Sequence, residues 1–292
     1  MDEHIRKAGV LIEALPYLQQ FRGETFLIKL GGSAMDDPQL VDQLLRDVVF
    51  LEVVGINPVL VHGGGKAISA AMAKSGLQAK FIGGLRVTNA ESIAIVEQTL
   101  SNEINPRLVE GLVSSGGKAI GIPGNKVFIG ERILGHDPET NQPADLGFVG
   151  KVTEFDSQPI EEALYYEKVP VISPIALEKG TGQTLNVNAD LAASALGAHL
   201  KASKVVYLSD VRGVMEDPAD PNTLIPSLNH ASVESLIANG TISGGMIPKV
   251  RSALDALDAG VGKVHLVDGR IPHSLLLEIF TKSGVGTEII SA

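Results

Sequence analysis

Two short apolar runs that each end in glycines constrain this chain more than any other feature. Phe26-Leu27-Ile28 leads into Lys29-Leu30-Gly31-Gly32-Ser33, and Pro58-Val59-Leu60-Val61 leads into His62-Gly63-Gly64-Gly65. Both runs read as buried strands, and a helical pattern follows each. A strand, a glycine turn and a helix N-terminus leave backbone N–H groups unpaired and pointing outward, which suits an anion, phosphate above all. Glycine lets that anion reach the backbone because no Cβ stands in the way. Two such loops, with Lys29 overhanging one of them, predict a site that handles more than one anion.

From Thr25 the sequence alternates strand and helix. Pro38 opens a helix whose buried stripe is Leu40, Val41, Leu44, Leu45, Val48 and Leu51. A helix follows the second loop to near Gly76, Phe81 to Thr88 reads as a hairpin or extended segment, and Asn89 is placed to cap a long helix over Glu91 to Ser114. Ala119 to Ile122 is a short strand. Lys126 to Phe155 reads as a β-hairpin excursion near the substrate, around a polar loop from His136 to Asp145. A helix at Ile160 to Tyr166 and a single strand at Val169 to Ile175 follow. The second half alternates again: helix Ala189 to Leu200, strand Lys204 to Leu208, an irregular loop from Asp217 to Pro226, helices at Val233 to Ala238 and Pro248 to Ala259, strand Val264 to Val267, helix Pro272 to Phe280 and strand Thr287 to Ile290. Such alternation predicts an α/β fold, a mainly parallel open sheet covered on both faces, with ligands at the carboxyl ends of its strands. Ahead of it, Ile5, Ala8, Ile12 and Leu15 give Met1 to Gln20 an amphipathic helical pattern that Pro16 bends or ends. That helix either packs on its own domain or serves as an oligomerisation arm.

Composition narrows the function. A net charge of −10, aromatics at 4% and no tryptophan argue against nucleic acid and anionic membranes as partners. The absence of cysteine excludes disulfides, thiolate metal sites and a catalytic thiol. No apolar run approaches the ~20 residues of a bilayer span, and no signal-peptide core opens the chain, so the expected location is the cytoplasm. The seven histidines are scattered, and no metal site is expected. None of the four Gly-Lys pairs is followed by Ser or Thr, which rules out a Walker loop, and Ile68 stands where a dinucleotide fingerprint needs its last glycine.

Three further segments carry chemistry. In Asn186-Val187-Asn188-Ala189-Asp190, capping explains Asn188 and the helix dipole suits Asp190, but neither explains Asn186. Ser209-Asp210-Val211-Arg212-Gly213-Val214 follows a strand; it is a plain turn or, at the ligand edge of the sheet, a nucleotide contact. Gly244-Gly245-Met246-Ile247-Pro248-Lys249 offers a second lysine at a helix start, aimed with Lys29 at one centre.

With Gly84-Leu85-Arg86-Val87-Thr88 added, these segments stand in the order of the amino-acid kinase family, which the chain resembles from Thr25 to its C-terminus. The Arg86 segment and the Asn186 to Asp190 run make it similar to the branch that phosphorylates N-acetyl-L-glutamate. Asn89 departs from that branch, where an aspartate is expected, at a position that bears on helix capping. The resemblance implies an αβα sandwich with an extra N-terminal helix, divided into residues 1–22, an acyl-amino-acid lobe over 23–180 and a nucleotide lobe over 181–292. It implies ATP with Mg²⁺ as cosubstrate. Gly64, Gly65, Arg86 and Asn186 would contact N-acetylglutamate; Gly31, Gly32, Ser209 and Asp210 the nucleotide. Lys29 and Lys249 would stabilise the transferring phosphoryl group and Asp190 would orient them.

The chemistry is coherent with that assignment. A carboxylate nucleophile is already ionised at neutral pH, so no general base is needed, and lysines and loop amides offset the repulsion between two anions. The planar fork of Arg86 suits the substrate's α-carboxylate. The N-terminal helix resembles that of the arginine-inhibited members, whose helices interlace dimers into a hexameric ring, a trimer of dimers. Tyr17, His265 and Glu278 would then serve an arginine site, and a PII signalling protein is a possible partner. Two other readings stay open: a family kinase acting on aspartate, glutamate, carbamate or a nucleoside monophosphate, and a non-catalytic arginine sensor.

Overall fold

The computed structural model describes residues 1–136 and 142–291, so part of the polar loop from His136 to Asp145, residues 137–141, lies outside the described residues. In chain order the elements are α1 (Asp2–Phe21), β1 (Thr25–Leu30), α2 (Pro38–Val53), β2 (Asn57–His62), α3 (Gly65–Lys74), β3 (Phe81–Ile82), β4 (Leu85–Arg86), α4 (Ala90–Glu97), a π-helical stretch (Gln98–Ile104), α5 (Asn105–Ser114), β5 (Ala119–Ile122), β6 (Phe128–His136), β7 (Pro143–Phe155), α6 (Gln158–Tyr165), β8 (Val169–Ile172), β9 (Ile175–Glu178), β10 (Thr184–Val187), α7 (Ala189–His199), β11 (Lys204–Ser209), β12 (Ser227–Asn229), α8 (His230–Ala238), α9 (Met246–Asp258), β13 (Lys263–Asp268), α10 (Ser274–Phe280) and β14 (Thr287–Ile290).

Eight strands form one sheet in the order β12-β14-β13-β11-β1-β2-β8-β5, parallel throughout except where β13 meets β14. Its centre is apolar on both faces because successive side chains point to opposite sides. In β1, Leu27 enters one apolar core with Val59, Val61 and Val205, while Phe26, Ile28 and Leu30 enter the other with Leu60, Val206 and Leu208. Helices cover both faces, giving the αβα sandwich that the alternating pattern predicts. Register sets the ligand edge: Leu30 lies opposite His62 on one side and Leu208 on the other, so both glycine loops and the Ser209-Asp210 turn leave the sheet at one level.

The local departures have physical causes. α1 runs through Pro16, because the carbonyl left without a donor belongs to the exposed residue Ile12, where water can serve it. The strand expected over Val169 to Ile175 divides at Ser173-Pro174; β8 stays in the large sheet, while β9 joins β6, β7 and β10 in a small closed barrel. The long helix after Asn89 contains a π-helical stretch, and Asn89 caps it in a reciprocal box with Ser92. The strands β10 and β12 were not expected.

Candidate active site

At the carboxyl end of β1, Lys29 Nζ lies 2.7 Å from Asp190 Oδ1, and Lys249 Nζ lies 3.0 Å from Asp190 Oδ2. Three distant segments supply these groups: a strand end, the first turn of α7 and the first turn of α9. Asn188 caps α7, accepting from the backbone N–H of Asp190 and Leu191, and this fixes where the carboxylate stands. Burial acts to raise the Asp190 pKa, but the two lysines overcome it and hold the carboxyl below its ordinary range. One carboxylate between two ammonium groups leaves a net positive centre. It floors a cavity of about 220 Å³ lined by Gly31, Gly32, Gly64, Gly65, Arg86 and Asn186 among others.

The glycines of that cavity make room for protein as well as for ligand. The Lys29 side chain folds back across the position that a Cβ of Gly31 would take, so any side chain at residue 31 displaces the ammonium. A Cβ at residue 64 would stand 2.6 Å from Leu100 Cδ2 and 2.7 Å from Ile104 Cδ1, both in the π-helical stretch, which therefore forms a seat for the second loop. His62, to which the sequence assigns no chemistry, supports the same loop from beneath. Its ring is fully buried; Nδ1–H donates to the Gly63 carbonyl at 2.9 Å, and Nε2 accepts from Asn105 Nδ2 at 3.3 Å. Burial lowers its pKa to about 4, so the ring is neutral. Asn105 uses its other N–H on the Val171 carbonyl, which ties the loop to the sheet. The polar residue in an otherwise apolar strand end was the available signal.

Arg86 is buried at the end of β4, its guanidinium 4.7 Å from the ring centre of Phe81. Nη2 donates to the Gly65 carbonyl at 2.7 Å and to Ser69 Oγ at 2.9 Å. Both two-pronged edges of a guanidinium use an Nη2 hydrogen. A bidentate grip on a carboxylate therefore requires Nη2 to release Gly65 or Ser69. Asn186, in β10, reaches the same cavity from the barrel side.

The remaining predicted positions lie in two other places. Ser209 is buried at the end of β11, and Asp210 borders both Gly32 and a separate cavity of about 410 Å³ walled by Val211, Met215, Ile242 and Met246. Tyr17, His265 and Glu278 come together far along the sheet, in a cavity of about 890 Å³ that α1 helps to wall. There Lys204 Nζ donates to His265 Nε2 at 3.1 Å, which makes Nδ1 the protonated nitrogen, and Nδ1–H donates to Glu278 Oε1 at 2.7 Å. The backbone N–H groups of Val285 and Gly286 donate to Glu278 Oε2.

Known proteins resemble this chain in architecture and in sequence. The amino acid kinase family matches residues 24–268. Acetylglutamate kinase of Akkermansia muciniphila is 59% identical, covering 98% of this chain and 96% of that protein. Acetylglutamate kinase of Aquifex aeolicus is 46% identical, covering 99% of each. Among solved structures, N-acetylglutamate synthase from Neisseria gonorrhoeae superposes with a TM-score of 0.85 at 26% identity, over 98% of this chain and 63% of that one. Carbamate kinase from Giardia lamblia shares the fold with a TM-score of 0.67 at 17% identity, over 92% of this chain and 99% of that one. A family match over most of the length, joined to end-to-end likeness to phosphotransferases of one activity, establishes that this chain belongs to the amino acid kinase family and is a kinase.

Proposed function

We propose that the chain transfers the γ-phosphoryl group of MgATP to the side-chain carboxylate of N-acetyl-L-glutamate, a cytoplasmic step of arginine biosynthesis. The observation that carries this reading is the convergence of Lys29 and Lys249 on the two oxygens of Asp190, at the floor of a cavity rimmed by both glycine loops. The likeness to acetylglutamate kinases supports the choice of acceptor. In this reading the N-acetylglutamate lies against Gly64, Gly65, Arg86 and Asn186, in the lobe of residues 23–180. The nucleotide lies on the lobe of residues 181–292 at Asp210, its phosphates reaching Gly31 and Gly32 of the other lobe and its base toward the apolar cavity beyond Asp210. Mg²⁺ arrives with the nucleotide.

The acceptor carboxylate attacks phosphorus, the bond to the β–γ bridging oxygen breaks, and ADP leaves with the bond's electron pair. No proton moves, which suits a centre whose carboxylate, Asp190, is pinned between lysines. Lys29 and Lys249 meet the charge spread over the transferring oxygens, and Asp190 keeps both ammonium groups in place without neutralising the pair.

We extend the reading to regulation. The cavity holding Tyr17, His265 and Glu278 is lined by three lysines and three glutamates, a balance that fits a zwitterion with an extra cation, as arginine is. Helix α1 exposes Ile5, Val10, Leu11 and Ile12, apolar side chains on more than one side of the helix that suit interlacing with other copies into a hexamer, and a PII protein is a candidate partner of that ring. The test is release of ADP from ATP with N-acetyl-L-glutamate, aspartate, glutamate or carbamate as acceptor, with and without arginine. Turnover on N-acetyl-L-glutamate that arginine suppresses is expected, together with a loss of at least 100-fold in kcat for Lys29→Ala in a folded protein. Preference for another acceptor overturns the assignment.

A further inference from the structure

Thr88 takes part in neither glycine loop, yet it joins the Asn186 side chain to the backbone of Arg86, two residues that line the cavity from the acyl-amino-acid side. It is fully buried, two residues after Arg86. Its backbone is clamped against β7: its N–H donates to the Leu146 carbonyl at 2.9 Å, and its carbonyl accepts from Phe148 N–H at 2.7 Å. Gly147, at φ +72°, lies so close that a Cβ there would overlap the Thr88 carbonyl. The side chain is equally committed. Thr88 Oγ1 donates its single hydrogen to the Arg86 carbonyl at 2.9 Å and lies 3.1 Å from Asn186 Nδ2.

A carbonyl oxygen can only accept, so the Thr88 hydrogen belongs to Arg86. Toward Asn186 the hydroxyl oxygen can then only accept, and the atom facing it must be the amide nitrogen. This fixes the polarity of a carboxamide that could otherwise sit either way round. The Asn186 side chain makes no other hydrogen bond among the described residues. With its nitrogen turned to Thr88, its Oδ1 and second N–H are left to the cavity that it lines with Lys29, Gly64 and Arg86. An acylated amino group carries one N–H and no charge, and one carbonyl acceptor satisfies it. A free ammonium brings three donors and a positive charge beside Lys29 and Arg86, and most of its donors stay unmet, which is costly away from bulk water.

We infer that Thr88 is a positioning residue that sets specificity: by fixing the Asn186 amide it makes the cavity accept an acylated amino group and refuse a free one. This rests on the acyl-amino-acid reading of the site above. Steady-state kinetics of the full chain test it, with N-acetyl-L-glutamate and MgATP varied and L-glutamate as competitor. Thr88→Val, which keeps the shape and removes the hydroxyl, should raise the KM for N-acetyl-L-glutamate about tenfold. It should leave kcat and the KM for MgATP within about twofold and narrow the preference over L-glutamate. Thr88→Ser should restore all three. Should the valine variant fail to fold, Thr88→Ala must show the same split. Unchanged KM, unchanged preference, or equal loss for both substrates without rescue by serine overturns the Thr88 assignment. A wild-type protein that does not phosphorylate N-acetyl-L-glutamate overturns the reading of the site instead, and this assignment with it.

Discussion

Two clusters of lysine and carboxylate stand at opposite ends of the same parallel strands, and they treat buried charge differently. At the carboxyl ends, Asp190 is shared by Lys29 and Lys249, and the attraction outweighs the cost of burial. At the amino ends, Lys204 faces a neutral His265, which passes its hydrogen bond on to Glu278. There, burial and nearby Lys263 push the Lys204 pKa down to about 8, against weaker support from Glu288 and Glu278. The first cluster is internally stabilised and still carries surplus positive charge for an incoming anion. The second holds a cation with no direct counter-ion among the described residues, which rests on the His265 ring nitrogen and over the Phe21 ring, 5.2 Å from its centre. Proximity of opposite charges is common to both; what separates them is whether each charge touches its partner or reaches it through a neutral ring.

The largest effect should come from a residue with no charge. Gly31→Ala puts a methyl where the Lys29 ammonium lies, and kcat/KM should fall by roughly 100-fold or more while the protein stays folded. A small change would mean that Lys29 acts from some other position, and the first cluster would lose its meaning. Asp190→Asn keeps the shape and leaves two ammonium groups facing each other. A loss of roughly tenfold to 100-fold in kcat is expected, with about 3 kcal/mol of stability by denaturant titration. Glu278→Gln tests the other cluster. The arginine concentration for half inhibition should rise about tenfold, and an unaltered response would detach that cavity from arginine. The smallest effect sharpens the contrast. Because Lys204 has a folded pKa near 8, below the unfolded value, its cost to stability is full below pH 8 and vanishes as pH rises past about 10.5. Lys204→Met should therefore raise Tm by about 2–4 °C at pH 7, and by nothing measurable above pH 10.5.

The sequence made the sandwich legible because its strands are short apolar runs closed by glycine, and its helices carry proline or asparagine at their starts. That Lys29 and Lys249 aim at one centre was legible because one stands near a strand end before glycines and the other in the first turn of a helix; the place of Asp190 between them came from the family resemblance. What stayed hidden depends on partners distant in sequence. β10 reads Thr-Leu-Asn-Val, too short and polar to announce a strand, and becomes one because β7 and β9 accept it. The commitment of Arg86 Nη2 to Gly65 and Ser69, and the path of Lys29 over Gly31, are side-chain directions that spacing does not encode. His62 and Thr88 look like ordinary polar residues until their single hydrogens are traced to carbonyls.

The π-helical stretch over Gln98–Ile104 has a consequence of its own. In a regular α-helix each residue advances the azimuth by about 100°, so one extra residue in a turn rotates everything beyond it by that angle. Here the rotation lets one continuous helix answer to two masters, its first half to the Asn89 cap beside Thr88 and its second half to Gly64 and His62. Point substitutions along it should be absorbed as ordinary packing changes. Removing a single residue from the wide turn would restore an ideal helix and turn Asn105 away from the imidazole, so this stretch should tolerate altered identity far better than altered length.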